Sequence, residues 1–131
     1  MVIIVLKIEV INNQNIDGQI DIVEEKADVK VNTLNGKIYL MYKTETDSVM
    51  IIVAKDSVTV KRSGSVNSTM VFERGKKTKT IYNMPYGKWL MEIETEKIVN
   101  AMTETGGRLR LVYAMTIQGQ RIFNDMRITV K

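Results

Sequence analysis

The sequence predicts an all-β protein that folds as a single antiparallel up-and-down β-barrel of eight to ten strands. Val, Ile and Thr, which favour strands, account for 43 of the 131 residues, whereas Ala and Leu together account for ten. Short runs of alternating apolar and polar residues, separated by turn signals, recur along the whole chain. Such a long meander is expected to curl and close, because closure removes its exposed edges.

The first half of the chain predicts two long strands and a hairpin. A strand is expected over about 2–11, followed by a polar loop at 12–15. The extended segment 19–31 changes its apolar positions from even to odd numbers, which predicts a bulge or bend near 22–24. Asn35-Gly36 then predicts a tight hairpin, because both residues tolerate positive φ.

The remaining strands follow one another through short turns, with a loop expected at 100–106. They are expected at about 37–45, 49–55, 58–63, 65–74, 78–83, 88–99, 107–117 and 120–130. Glu92 to Met102 competes as a helix, but the alternation of its apolar residues with glutamates favours a strand. The predicted architecture is therefore one domain over 1–131, a meander barrel of the calycin or lipocalin-like type.

Two missing residue types limit the chemistry that the chain could perform. It contains no cysteine, which excludes disulfides, zinc–thiolate sites and cysteine nucleophiles. It contains no histidine, which removes the most frequent general base and excludes a Ser-His-Asp triad. We therefore expect a protein that is not an enzyme and that uses no metal and no cofactor. An enzyme that uses Asp, Glu, Tyr or Lys is the alternative that these absences leave open.

The apolar start of the chain predicts a buried strand and no membrane association. No segment approaches the roughly 20 apolar residues of a membrane span. The run at 2–6 lacks a basic region before it and is interrupted by Lys7 and Glu9, so it does not fit a signal peptide. We expect a cytoplasmic protein.

The second half of the chain resembles a known family through several motifs in a fixed order. These are Lys61-Arg62-Ser63-Gly64, Met70-Val71-Phe72-Glu73, Thr80-Ile81-Tyr82, Pro85-Tyr86-Gly87, Gly106-Gly107-Arg108-Leu109-Arg110-Leu111-Val112-Tyr113 and Gln118-Gly119. Together they resemble the YwiB-like family of uncharacterised small bacterial β-barrel proteins, best over 58–131. Asn83-Met84 stands where the family pattern would have a small polar residue. The resemblance implies a calycin-like barrel and carries no activity or catalytic residues.

Arg62 is the first candidate ligand-binding residue, because alternation places it on the apolar side of its strand. A guanidinium there could anchor the carboxylate or phosphate of a ligand inside the barrel. Three structural alternatives compete with that role. Arg62 could form a salt bridge with Glu25, Glu73 or another carboxylate, reach solvent past Gly64, or lie beyond a bulge that reverses the faces.

Aromatic residues supply the other candidates for the ligand site. Three tyrosines could share an anion with Arg62, namely Tyr42, Tyr82 and Tyr113, although buried tyrosines commonly satisfy their hydroxyl groups locally. Tyr86 and Trp89 flank the single proline of the chain. They could form a lip at the barrel mouth, or they could seal one end of the core.

The function predicted from these features is non-enzymatic binding of a small amphipathic or anionic molecule within the barrel. The alternative is a module that binds a protein or an RNA through surface strands or the basic segment 74–79, as a monomer or homodimer. The formal net charge of +4 divides into −1 for residues 1–65 and +5 for 66–131. This bias falls short of the basic stripe expected of a nucleic-acid binder.

Overall fold

The computed structural model describes residues 5–131, which form ten antiparallel strands and no helix. The strands are β1 (Leu6–Ile16), β2 (Gln19–Leu34), β3 (Lys37–Lys43), β4 (Asp47–Val53), β5 (Val58–Gly64), β6 (Ser68–Phe72), β7 (Lys77–Met84), β8 (Gly87–Thr103), β9 (Gly106–Ile117) and β10 (Gln120–Val130). The order in the sheet is β6-β5-β4-β3-β2-β1-β10-β9-β8-β7. Strands that follow one another in the chain therefore pair with each other, and β1 pairs with β10.

The sheet curls into a nearly closed barrel, which confirms the predicted all-β meander. Its two end strands, β6 and β7, meet at a bridge where Asn67 and Asn83 exchange two backbone hydrogen bonds of 2.9 Å. The hydroxyl of Thr78 also donates to the carbonyl oxygen of Val71 at 2.6 Å. This seam is much shorter than the other ladders, so the barrel is closed there by only a few contacts.

Side chains that alternate along each strand point into the barrel and form its hydrophobic core. The rings of Phe72 on β6 and Tyr113 on β9 meet edge to face, with their centroids 4.7 Å apart. Because β6 and β9 are not neighbours in the sheet, this contact bridges the interior. The other large side chains that are almost completely buried are Ile8, Leu40, Ile51, Met91, Ile93, Leu109, Leu111 and Ile128.

The β1–β2 hairpin differs from its prediction. Asn12, Asn13, Gln14 and Asn15 belong to β1, and the register from Leu6 opposite Val29 to Ile16 opposite Gln19 is continuous, so 12–15 is no loop and 22–24 holds no bulge. The reason is that β2 from Gln19 to Glu24 projects beyond the core with both faces exposed. Where neither face is buried, a change of apolar parity needs no bulge. Residues 2–4 of the predicted first strand lie outside the described residues.

The irregularity that the sequence did not predict lies in β8. The register with β9 shifts between Thr95 and Lys97, so odd-numbered residues face inward before the shift and even-numbered residues after it. The predicted loop at 100–106 is wrong, because β8 continues to Thr103 and buries Met102 in the core. The side chain of Asn100 supports this extension by accepting a 3.0 Å hydrogen bond from the Met102 N–H.

The Asn35-Gly36 hairpin is confirmed, with φ values of 52° and 76° at its two turn residues. In residues 5–131 the structure has no helix long and apolar enough to cross a membrane.

Gly107, where β8 and β9 meet, makes the fold sensitive to an added methyl group. Its φ is 146°, and a Cβ would lie 2.2 Å from the carbonyl oxygen of Ala101. Gly107→Ala is expected to lower the free energy of unfolding by about 3 kcal/mol, through strain and displaced backbone. Urea unfolding measures the change. Gly87→Ala, which meets no atom within 4 Å, is the control, and equal losses in both variants would contradict the prediction.

Candidate functional site

Arg62 lies near the end of β5 and is held by two carboxylates. Its Nη2 donates to both oxygens of Glu25, at 3.0 and 3.2 Å, and its Nη1 donates to Asp47 Oδ2 at 3.2 Å. The side chain faces inward on the side of Val58 and Val60, as alternation predicted. A salt bridge to Glu25 was one of the structural alternatives considered for this residue. The guanidinium is therefore already paired in the protein.

The Asp47 carboxylate fixes the loop that follows β5 by accepting hydrogen bonds from it. Its Oδ1 accepts hydrogen bonds from the Ser65 N–H at 2.7 Å, the Ser65 hydroxyl at 2.9 Å and the Val66 N–H at 3.4 Å. Burial raises the pKa of Asp47, but the hydrogen bonds from Ser65, Arg62 and Val66 outweigh burial and hold its pKa below the usual value. These bonds also turn the chain away from β5, so that β6 begins only at Ser68 and not at 65 as predicted.

Tyr42 completes the cluster, which we call the Arg62 network (Glu25, Tyr42, Asp47, Arg62 and Ser65). The Tyr42 hydroxyl donates to Glu25 Oε1 at 2.8 Å. Burial, together with the neighbouring Glu25 carboxylate, raises the pKa of Tyr42 far above its usual value, so the hydroxyl remains a neutral donor. With one guanidinium and two carboxylates, the network has a formal charge of −1. Arg62 already donates to two carboxylates, so an anion that approaches it would meet the negative charges of Glu25 and Asp47.

The predicted aromatic residues lie at different depths. Tyr82 and Trp89 are opposite each other on β7 and β8 and are both half-buried, whereas Tyr86 is 80% exposed in the turn between those strands. Burial raises the pKa of Tyr82, and the charges of Arg62 and Asp47 also act on it. Tyr82 packs against the hydrophobic core, and Trp89 lies opposite it on β8.

Tyr113 is buried in the core against Phe72, and burial raises the pKa of its hydroxyl. It makes no hydrogen bond to the Arg62 network in the described part of the chain. No observation tests whether Arg62, Tyr82, Tyr86, Trp89 or Tyr113 binds a ligand, and that role stays a prediction.

One inner wall of the barrel carries a polar cluster that the sequence analysis did not identify. The side chains of Asn12 and Gln14 each donate to Asn124 Oδ1 at 3.1 Å, and Asn124 Nδ2 donates to the Ile122 carbonyl oxygen at 3.1 Å. Within residues 5–131, two buried atoms here, Asn12 Oδ1 and Thr95 Oγ1, have no hydrogen-bond partner. Asn12 and Gln14 alternate along β1, a pattern that indicates an inward polar face.

A groove of about 1300 Å³ follows the line along which β2 leaves β3. β2 pairs with β1 through Gln19–Val29 but with β3 only through Lys30–Leu34. β2 and β3 therefore separate on the N-terminal side of Lys30. The groove is lined mainly by β2, β3, β4 and β5, with Leu6 and Glu104 at its border. Its surface is more apolar than polar.

The register of the four strands places two methionines between two lysines in this groove. Lys30 lies opposite Met41, Met41 opposite Met50, and Met50 opposite Lys61. Neighbouring strands are about 4.8 Å apart, so the two lysines lie on either side of a narrow apolar strip. Lys43, two residues after Met41 and on the same outer face, adds a third ammonium group. We call Lys30, Met41, Lys43, Met50 and Lys61 the Lys–Met groove.

The lysines of the Lys–Met groove are free of ion pairs. Lys7 pairs with Asp28, and Lys26 pairs with Glu24 at 3.1 Å and Glu9 at 3.4 Å. By contrast, Lys30, Lys43 and Lys61 make no ion pair with any carboxylate of residues 5–131. These three cations and the two methionines between them form a surface suited to a ligand with an anionic group and an apolar body.

The basic segment 74–79 is partly neutralised. Lys76 pairs with Glu73 at 3.0 Å, and Lys77 lies 3.9 Å from Glu92. Both pairs are on the exposed surface, where each contributes little to stability. The segment is therefore less strongly cationic than its sequence indicates.

Removal of Arg62 tests the importance of its network. Arg62→Met leaves Glu25 and Asp47 as uncompensated, partly buried charges, and is expected to lower the free energy of unfolding at neutral pH by about 2 kcal/mol. The double variant Arg62→Met with Glu25→Gln should recover part of the loss. The control is Arg127→Met, which removes an exposed arginine 3.8 Å from Asp125 and should cost less than about 1 kcal/mol. If urea unfolding shows that Arg62→Met and Arg127→Met lower the free energy of unfolding equally, the Arg62 network does not contribute to stability as predicted.

The pKa of Asp47 predicts an acid-dependent part of the stability. Because its folded pKa is below the unfolded value, its contribution is complete above about pH 4 and is lost as the pH falls through the folded pKa. Asp47→Asn should therefore show a smaller decline in free energy of unfolding between about pH 4 and pH 2 than the unmodified protein. Parallel pH profiles from urea unfolding would show that Asp47 does not contribute.

Comparisons with known proteins agree with this architecture. Among solved structures, the ywiB protein from Bacillus subtilis matches with a TM-score of 0.88 at 24% sequence identity, over 97% of this chain and 90% of that chain. At this identity the likeness shows a shared fold. A search of curated proteins finds no match.

The family model for a domain of unknown function, DUF1934, matches residues 8–130. Together with the ywiB structure it confirms the resemblance to the YwiB-like family. Since the match extends over nearly the whole sequence, the chain belongs to the DUF1934 family.

Proposed function

We propose that this protein is a non-enzymatic binding protein for a small amphipathic anion, which it holds in the Lys–Met groove. The observation that carries the proposal is the continuous row Lys30–Met41–Met50–Lys61. In this row an apolar strip lies between two cations that form no ion pair within residues 5–131. Mostly apolar concave surfaces with a few polar groups are typical ligand sites. The absence of histidine and cysteine from the sequence supports a binding role over a catalytic one.

The two halves of such a ligand would make different contacts. Its apolar part would cover the half-buried side chains of Met41 and Met50, and each Å² of apolar surface removed from water contributes about 25 cal/mol. Methionine side chains are flexible, so they can adapt to ligands of different shape. The anionic group would contact Lys30, Lys43 or Lys61, whose exposed charges also attract an anion before contact.

The groove replaces the barrel interior as the proposed site, for two reasons. The Phe72–Tyr113 contact and the aliphatic side chains around it occupy the interior. Arg62, the cation expected to anchor a ligand there, is paired with Glu25 and Asp47. Binding in the groove requires neither a void in the core nor the loss of an existing ion pair.

The proposal keeps two expectations from the sequence. The cytoplasm remains the proposed location, and a sequence without cysteine fits a reducing compartment. A calycin or lipocalin-like ligand-binding class also remains a proposal, supported by the meander order of the ten strands.

Fluorescence titration with 1-anilinonaphthalene-8-sulfonate, an amphipathic anion, tests the groove directly. The variant Lys30→Gln with Lys61→Gln should bind this probe about tenfold more weakly, because it loses two exposed charge contacts of up to about 1 kcal/mol each. The matched control is Lys79→Gln with Lys88→Gln, which removes the same charge from two exposed positions on β7 and β8. The control should bind the probe like the unmodified protein.

Met50→Glu separates the apolar contact from the charge contact. A carboxylate in the middle of the strip should abolish probe binding while leaving the barrel folded, as judged by the urea unfolding midpoint. Equal affinity of the groove variants, the control and the unmodified protein would refute the proposed site.

A further inference from the structure

One edge of β2 is uncovered along part of the strand. From Gln19 to Val29 it pairs with β1 on one side, while its ladder with β3 begins only at Lys30. All six residues from Gln19 to Glu24 are exposed, on both faces of the strand. Within residues 5–131, no strand pairs with the other edge of this segment. Its outward backbone N–H and C=O groups are therefore free to pair with another chain.

The same segment exposes large apolar side chains. Ile20 is 68% exposed, Ile22 is 62% and Val23 is 45%. Phe123 on β10, 54% exposed, lies in the same cross-strand row as Ile20, with Asn15 between them. Sheet edges in natural proteins are usually protected by charged side chains, especially lysine, by proline or by a bulge. Gln19–Glu24 has no lysine, proline or bulge, and its charged residues are Asp21 and Glu24. A contiguous apolar patch beside a free edge indicates an interaction surface.

We propose that this edge is a dimer interface, at which the Gln19–Lys26 segments of two copies of the chain pair antiparallel about a twofold axis. Closed twofold dimers are the most frequent soluble assembly, and they need a surface complementary to itself. In such a pair the outer faces of both strands lie on the same side of the joint sheet. The residue on the axis then lies opposite the same residue of the second copy. Each possible register is therefore defined by one axis residue, and only a few residues of the segment can take that position.

The charges of β2 select one of these registers. An axis at Asp21 would place that carboxylate opposite itself, and an axis at Val23 would place Asp21 opposite Glu25. An axis at Ile22 places Ile22 opposite itself, Ile20 opposite Glu24 and Asp21 opposite Val23, with no like charges opposed. Like charges directly opposite each other destabilise a strand pair, which disfavours the axes at Asp21 and Val23. An axis at Ile20 opposes no like charges either, but β2 begins at Gln19, so that register would pair only a few residues of the strand. The Ile22 register is therefore favoured.

The Ile22 register also brings opposite charges together at both ends of the interface. Lys26 falls opposite Gly18 of the second copy, next to Asp17 in the same turn, so its exposed ammonium group would approach that carboxylate in addition to its own partners Glu24 and Glu9. Twofold symmetry repeats this contact, so the interface has two Lys26–Asp17 contacts. Between them, Ile20 and Ile22 of both copies form one apolar cluster on the outer face. This charge complementarity is the reason for assigning the edge to a second copy rather than to another extended peptide.

Sedimentation equilibrium of the full chain tests the interface. We expect an assembly of twice the 15.0 kDa chain mass. Ile22→Lys should weaken it at least about tenfold, because it places two lysines opposite each other. The control is Ile81→Lys, which alters an isoleucine that is 52% exposed on a different strand, and it should associate like the unmodified protein. A monomer at submillimolar concentration, or equal association of both variants, would overturn the proposal.

A cysteine variant tests the register without introducing a charge. The chain has no cysteine, so Ile22→Cys introduces a single thiol. Directly opposite residues of an antiparallel pair have Cα atoms about 4.5–5.5 Å apart, within the range of a disulfide. Under mild oxidation Ile22→Cys should form a covalent dimer, and Ile81→Cys should not. A dimer in which the two cysteine variants cross-link at the same rate would overturn the assignment to β2.

Discussion

The ion pairs of Arg62 hold together a part of the barrel that backbone hydrogen bonds leave open. β2 has no ladder with β3 beyond Lys30, yet its Glu25 accepts hydrogen bonds from Tyr42 on β3 and Arg62 on β5. Arg62 in turn holds Asp47 on β4. Side chains thus replace the missing ladder, and their partial burial makes them stronger than exposed pairs of the same kind.

β2 and β3 separate where this network joins them. Their separation creates the two surfaces to which we assign a role, the Lys–Met groove and the free edge of β2. On the outer side, the separation of β2 from β3 opens the Lys–Met groove. From Glu25 back to Gln19, one edge of β2 pairs with no strand in the described part of the chain. The groove and the edge differ in chemistry, because one presents unpaired cations around methionine and the other presents isoleucines with carboxylates. They are therefore suited to different partners.

The local conformational preferences of the residues predicted most of the strands correctly. Asn35-Gly36 and Gln118-Gly119 adopt positive φ at hairpin turns, and the alternation after Leu109 places Leu111 and Tyr113 in the core. The predictions at 12–15 and 100–106 failed where burial and not local preference decided the structure. The stretch 12–15 has a loop composition, but Asn12 is buried and pairs with Asn124, which is 112 residues away in the sequence. No local pattern reveals such a partner.

Alternation and turn chemistry act between near neighbours, so the sequence alone predicts the all-β class, the meander order and the inward side of Arg62. Which carboxylates meet that guanidinium depends on the folded arrangement of the strands, since Glu25 is 37 residues away from it. The same holds for the Lys–Met groove. Lys30, Met41, Met50 and Lys61 are distant in sequence, and only the register of four strands places them in one row.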